Sequence, residues 1–315
     1  MPRKTALDDV LMYVMKTRKN YWVRNNTHKG IIDTLNLKYY LDIKPRIYEG
    51  HFNEYDQNGI PVRNYGTAIG VQYNPVNVCA YALGNLDIYT ETEQRSYVEI
   101  FFKMAQWLIE NQVIQNNIGV WFYNFDWGNI KKPWISGMAQ GEALSVLARA
   151  YDLTKDEKYL SCAEKCMNSF KNDIANGGVT GLIDGKYKIF EEYVSLKKQT
   201  HVLNGFMYAL WGIYDYYLIT RNQNDKAIFD EGILSLENCL SSYDLGYWSK
   251  YDLNEKINIA SYMYHSLHVI QLSVLYEMSG SLIIKHYSDL WSEYQKSYIN
   301  CIKALIKKII GKVNE

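Results

Sequence analysis

Ser136-Gly137-Met138-Ala139-Gln140-Gly141-Glu142-Ala143 opens a segment that runs on to Tyr151, and its composition decides the fold class. Small and polar residues stand where a surface helix would show one apolar stripe and one charged face. A helix of that kind is expected to be packed on both sides. Thr154-Lys155-Asp156-Glu157 follows as a turn with helix-start chemistry, and a second helix is read over 156–172. The pattern recurs. First helices are read at 76–89, 136–151, 201–220 and 261–278, starting roughly every 60 residues. Second helices are read at 93–112, 156–172, 225–240 and 282–309, and they are more strongly amphipathic, as in Tyr97-Val98-Glu99-Ile100-Phe101-Phe102-Lys103-Met104-Ala105-Gln106-Trp107-Leu108. Inner helices packed on both faces and outer helices facing water give that contrast. The expected fold is mainly α, an incomplete (α/α) toroid of about four helical hairpins over residues 76–315.

Residues 1–75 are less regular. Residues 1–25 read as a helix, and 36–74 as an extended, turn-rich segment with a turn at Gln57-Asn58-Gly59-Ile60-Pro61. This short irregular/β N-terminal segment is too small for a comfortable core of its own, so it is expected to pack over the barrel mouth.

Composition narrows the function. Lys plus Arg and Asp plus Glu both number 34 among 315 residues, so there is no basic excess for general nucleic-acid binding. The 5 cysteines are odd in number and scattered, which favours a reducing compartment over a disulfide framework. Cys162 and Cys166 share a helix face, but no second Cys/His pair lies nearby in sequence, so packing is preferred over a metal site. No apolar stretch reaches the ~18–20 residues of a membrane span, and the N-terminus does not read as a signal peptide. A cytoplasmic protein without metal or cofactor is expected. Residues 299–313 read as a basic amphipathic outer helix.

Aromatic content stands out, with 29 Tyr and 8 Trp. Such side chains stack on sugar rings while hydrogen-bonding hydroxyls, although A/T-rich coding bias is an equal account of the total. The loops 113–135, 173–200 and 241–260 are long, and loops of that length are uncommon unless they have a function. In a toroid they fall at one end. They carry Trp121, Trp134, Tyr247 and Trp248 together with Lys131, Lys132, Lys186, Lys188, Lys197, Lys198 and Lys250, a suitable receptor for an acidic sugar chain. Tyr264, His268 and Gln271 are spaced i, i+4, i+7 and form a polar, aromatic stripe on one helix, read as a working surface.

The motifs Gln72-Tyr73-Asn74-Pro75, Pro133-Trp134-Ile135-Ser136-Gly137-Met138-Ala139-Gln140-Gly141-Glu142, Arg149-Ala150-Tyr151-Asp152-Leu153-Thr154, Glu191-Glu192-Tyr193, Val202-Leu203-Asn204-Gly205-Phe206-Met207-Tyr208, Tyr251-Asp252-Leu253 and Tyr264-His265 occur in this order. Across residues 71–278 the chain thereby resembles the helical C-terminal domain of the D-glucuronyl C5-epimerase family. The resemblance implies inversion of C5 of glucuronate to iduronate within an acidic polysaccharide. It implies Glu192 and Tyr264 as catalytic groups, with Tyr193 and Tyr251 important for activity, and a homodimer. Animal members of the family carry an arginine that holds the uronate carboxylate. Here the position is Asn254, which leaves either another cation or another mode of binding.

The C5 proton lies α to a carboxylate, so its removal needs a shell that offsets the developing charge and an acid/base group on each ring face. Glu192 and Tyr264 are the candidate pair. A histidine or lysine would have to lower the Tyr264 pKa from about 10 to make it a base, and His265 and His268 are placed in sequence for that or for binding the carboxylate. Trp121, Trp134, Gln140, Asn204 and Tyr73 complete the substrate-binding candidates. Plainer readings stand beside these: a solvated Glu191-Glu192 pair, a core Tyr264, packing tryptophans, and Gln140 and Asn204 bridging inner helices. Competing functions are a uronate polysaccharide lyase, a glycosidase drawing on Asp126, Glu142, Glu192 or Asp252, and a non-catalytic acidic-glycan-binding module.

Overall fold

The protein is described by a computed structural model over residues 12–13, 22–25 and 30–313. Most of the helix read at 1–25 lies outside these residues, and Val23–Arg24, within its expected end, is a strand instead (β1).

Short segments lead into the helical part. β1 pairs with β2 (Leu41–Asp42), and a helix not anticipated from sequence, α1 (Lys44–Tyr48), follows. The turn at 56–60 is present: Asp56 Oδ1 accepts the N–H groups of Asn58 and Ile60, both at 2.8 Å, and Gly59 takes φ +75°. β3 (Val62–Asn64) then pairs antiparallel with β4 (Val71–Tyr73).

The expected helix pairs follow in order: α2 (Pro75–Thr92) with α3 (Arg95–Asn111), α4 (Gly137–Thr154) with α5 (Glu157–Lys171), α6 (Leu203–Thr220) with α7 (Gln223–Tyr243), and α8 (Tyr262–Ser279) with α9 (Leu282–Lys296). Each first helix ends on a residue in the left-handed region, at Glu93, Lys155, Arg221 and Gly280. The N–H of each returns to a tyrosine carbonyl four residues back, at Tyr89, Tyr151, Tyr217 and Tyr276. One turn chemistry is therefore used four times, with two residues separating the helices of each pair. Asn74, Ser136 and Ser261 cap three of the first helices through side-chain oxygens.

The first helices touch in sequence, α2 on α4, α4 on α6 and α6 on α8, and each second helix packs on its own partner. The small residues of α4 have a direct reason. A Cβ placed on Gly212 of α6 would lie 1.9 Å from the carbonyl oxygen of Gly141, so the two backbones meet with no room for a side chain. The connections are less irregular than expected. The loop before α4 contains the hairpin β5 (Val113–Gln115) and β6 (Ile118–Val120), and the loop before α6 contains β7 (Thr180–Ile183) and β8 (Tyr187–Phe190). The single helix expected at 282–309 breaks at Ser297, whose extended backbone separates α9 from α10 (Tyr298–Val313).

A buried network fastens the N-terminal segment to these helices. Arg149 of α4 pairs with Asp215 of α6 at 2.7 Å, and both side chains are wholly buried. Tyr40 donates its hydroxyl to Asp215, and Arg149 Nε donates to the Leu37 carbonyl. The rings of Tyr39 and Tyr40 lie 5.3 and 5.6 Å from the guanidinium carbon. Two buried charges are tolerated because each is paired and hydrogen-bonded. Residues 37–40 thus lie directly on the inner helices.

Candidate active site

Glu192 lies just after β8. The chain bends here, and the two glutamates take different surroundings. Glu191 turns inward, accepting the His201 N–H at 3.1 Å and pairing with its Nδ1. Glu192 lines a cavity of about 290 Å³ together with Tyr193, Asn204, Tyr264 and Trp134. Burial pushes its carboxyl pKa up to about 7. Hydrogen bonds from Tyr193 and Asn204 oppose that rise, while the charges of Glu191 and Asp252 add to it. Asn204 Nδ2 stands 3.3 Å from Oε2. A carboxyl poised near neutrality and aimed into a cavity is suited to exchange protons with a ligand.

Tyr264 lies in the first turn of α8 and borders the same cavity. Its phenol pKa is raised, first by the protein packed around it and then by the charge of Glu192. A hydrogen bond from Tyr251 and the charges of Arg46 and Arg63 act in the other direction. Tyr251 does not line the cavity; its ring meets Tyr264 edge to face, with centroids 4.8 Å apart. Tyr251 also bonds to Tyr193, whose pKa the Glu192 charge holds high. The four residues named as catalytic in the sequence are therefore one cluster, in which each phenol senses Glu192.

The histidines belong elsewhere. His265 stacks on Trp248 with centroids 3.8 Å apart, accepts the Ser249 N–H at Nδ1 and lies 2.9 Å from the Trp291 carbonyl through Nε2. His268 Nδ1 meets the Ser249 hydroxyl at 2.9 Å. Both rings are wholly buried, and burial drives the His265 pKa down to about 3 and that of His268 well below the ordinary value. Neutral, buried rings neither lower the Tyr264 pKa as cations nor reach a substrate. Of the stripe Tyr264, His268 and Gln271, only Tyr264 faces the cavity; Gln271 donates to the Asn204 carbonyl at 3.0 Å.

The remaining candidates divide. Trp134 lies at the cavity wall, stacked on Tyr123 at 4.0 Å, and also borders a larger groove of about 710 Å³ on its other side. Trp121 is buried, its Nε1 donating to the Leu108 carbonyl, and Gln140 bridges the Trp121 N–H and the Gly119 carbonyl. Both are packing residues. Tyr73 is exposed and donates its hydroxyl to Asp56 at 2.6 Å, outside the cavity wall. Asn254 borders a separate surface depression with Lys256 and Lys308. None of the seven loop lysines lines the cavity; Lys131 and Lys197 border the adjoining groove, which holds no acidic side chain.

Sequence reasoning missed Arg46, Arg63, Tyr65 and Tyr208, and weighed Glu142 only for hydrolysis; all five line the cavity. Burial pushes the Glu142 pKa up to about 8, with Arg46 opposing and Glu192 adding. Its Oε2 has no hydrogen-bond partner among the described residues. Glu142 carried a signal, since it is the sole charged residue between Ser136 and Ala148 in an inner helix. Tyr208 lies four residues after Asn204 on α6 and so on the same face. Arg46 and Arg63 carried none.

The family described as the D-glucuronyl C5-epimerase C-terminus matches residues 115–293. An uncharacterized protein of Methanocaldococcus jannaschii is 33% identical over 258 residues, 74% of this chain and 82% of that protein. The D-glucuronyl C5-epimerase of Caenorhabditis elegans is 31% identical over 236 residues, 67% of this chain but 38% of that protein. Among solved structures, cellobiose 2-epimerase from Spirochaeta thermophila aligns with TM-score 0.54 at 9% identity, covering 90% of this chain and 65% of that one. A GH76 α-mannanase from Bacteroides thetaiotaomicron aligns with TM-score 0.52 at 13% identity, covering 82% and 78%. At those identities the two structures speak to the mainly helical (α/α) fold alone. The match over residues 115–293 and the identity to the nematode enzyme establish that the chain belongs to the D-glucuronyl C5-epimerase C-terminus family.

Proposed function

We propose that the protein inverts C5 of D-glucuronate residues in an acidic polysaccharide, giving L-iduronate, on an incomplete (α/α) toroid formed by its four hairpins. One observation carries this: Glu192, with a pKa of about 7, and the phenol of Tyr264 line one cavity, and the carboxylate's charge helps to keep that phenol protonated. The C–H bond at C5 breaks, its proton passing to Glu192, and the electron pair enters the substrate carboxylate as an enolate. Neutralising Glu192 removes the charge that had raised the Tyr264 pKa. The phenol then becomes a better acid at the moment a proton must be returned to the opposite face, while Arg46 and Arg63 favour the phenolate left behind. Trp134 is available to stack on a sugar ring.

Five free, buried cysteines support a reducing compartment, and we place the protein in the cytoplasm, as a homodimer. The test is incubation with a glucuronate polymer in deuterium oxide. Deuterium at C5, with iduronate formed, is expected. Recovery of the substrate without exchange sinks the assignment, and an unsaturated uronate absorbing in the ultraviolet would make the protein a lyase. A specific observation favours hydrolysis as the second reading: Glu142 and Glu192 line the same cavity, and the Glu192 charge helps to raise the Glu142 pKa. Release of reducing ends would decide for it.

A further inference from the structure

We propose that Arg46, with Arg63 at the rim, forms the anion site of this cavity and holds the carboxylate of an acidic sugar. The inference rests on the functional reading above and names the residue that would select a uronate over a neutral sugar.

Arg46 lies on α1, in the N-terminal segment, and its side chain borders the cavity alongside Glu142, Tyr208 and Tyr264. It is 9% exposed. A guanidinium so far from water normally has a carboxylate against it, as Arg149 has Asp215. Arg46 has none. Glu142 acts on it only through space, without an ion pair or hydrogen bond. Among the described residues its one hydrogen-bond partner is His51 Nε2 at 2.7 Å, which must accept, because guanidinium nitrogens only donate. The rings of Trp22 and Phe52 lie 5.4 and 5.3 Å from the guanidinium carbon, which fixes its place without cancelling its charge.

The balance of charge points the same way. Arg46 and Arg63 are the two cationic residues lining the cavity among the described residues, and Glu142 and Glu192 are its two acids. Burial keeps both acids partly protonated near pH 7, so the arginine charge is not neutralised. A planar fork of donors held beside the proton-transfer pair matches a carboxylate, and it would offset the second negative charge that develops when C5 is deprotonated.

Calorimetric binding of a glucuronate oligosaccharide, and of the same oligosaccharide with its carboxyl groups reduced to alcohols, tests this. Arg46→Met is expected to weaken binding of the acidic ligand by about tenfold or more and to change binding of the reduced ligand by less than about twofold. Arg63→Ala is expected to give a smaller loss with the same selectivity. Equal losses for both ligands, or no loss, overturn the anion site while leaving the functional reading intact. Wild-type protein that binds neither ligand overturns both. Should Arg46→Met lose its folded circular-dichroism spectrum, Arg46→Lys carries the test: it keeps the charge and stem but not the fork, and must show a selective loss for the acidic ligand.

Discussion

The carboxyl group of Glu192 occupies the space that a side chain at Gly205 would take: a Cβ built there would lie 2.5 Å from Glu192 Oε2 and 2.6 Å from its Cβ. Gly205 belongs to the first turn of α6, so the acid rests against a helix N-terminus, where partial positive charge favours an anion. Glu192→Gln keeps this shape and removes the base; exchange at C5 is expected to fall by about a hundredfold or more with the fold intact. Gly205→Ala should displace the carboxyl and lower kcat with a smaller effect on substrate binding. Wild-type kcat in both variants would refute the assignment.

A second prediction follows from the ionisation of that acid. Glu192 must be charged to accept a proton, so kcat/KM is expected to rise through a pKa of about 7. Stability should run the other way. Glu142 and Glu192 titrate near 8 and 7 in the fold, against an ordinary value of 4.5. The unfolded chain therefore ionises first, and their stabilising contribution, complete below about 4.5, is lost as pH rises through 7 and 8. Thermal melts between pH 5 and 8.5 should show Tm falling with pH, and Glu142→Gln should flatten the slope. A Tm that rises across this range in wild type and variant alike would count against buried, neutral carboxyls here.

Tyr264→Phe is expected to lower exchange by about a hundredfold or more and to change Tm little, because the residue borders the cavity and the hydroxyl's loss costs the hydrogen bond with Tyr251. Substitution of His268 by Leu should do the reverse. The ring is buried against Ser249 and Trp291, so its loss is felt in packing, while kcat of the folded fraction stays at the wild-type level. Matched kinetics and melts of the two variants separate the roles; a loss of kcat in the folded His268 variant would return the histidine to the chemistry.

The helical hairpins were legible because their cause is local. Small residues at Gly141 and Gly212, amphipathic second helices and a shared two-residue turn are all written in consecutive positions. The β5–β6 and β7–β8 hairpins escaped because strands of three or four residues leave no period to read. At the site, Glu192 and Tyr264 were found through motif resemblance. Arg46 was not, because its position depends on a chain crossing from α1 to the helix ends, which no spacing within Lys44–Tyr48 encodes. The histidines misled for a related reason. Helical periodicity puts His268 on the face of Tyr264, yet its ring is packed against Trp291, as that of His265 is against Trp248.

Attachment of the N-terminal segment depends on Asp215, which receives the Tyr40 hydroxyl and the Arg149 guanidinium at once. Removing one member of a buried ion pair strands the other charge without water, at a cost of about 3–5 kcal/mol. Asp215→Ala is therefore expected to lower Tm sharply. The disturbance should reach the cavity, because residues 37–40 sit on this network and lead directly into α1 with Arg46. Asp215→Asn keeps the acceptor for Tyr40 but leaves the Arg149 charge unpaired, so it should recover little of the loss. Replacing Arg149 and Asp215 together by Met and Leu removes both charges and should be milder than Asp215→Ala alone. Denaturant titrations of the single and double variants measure this directly. A double variant less stable than Asp215→Ala would show that the pair contributes net stability rather than an avoided penalty.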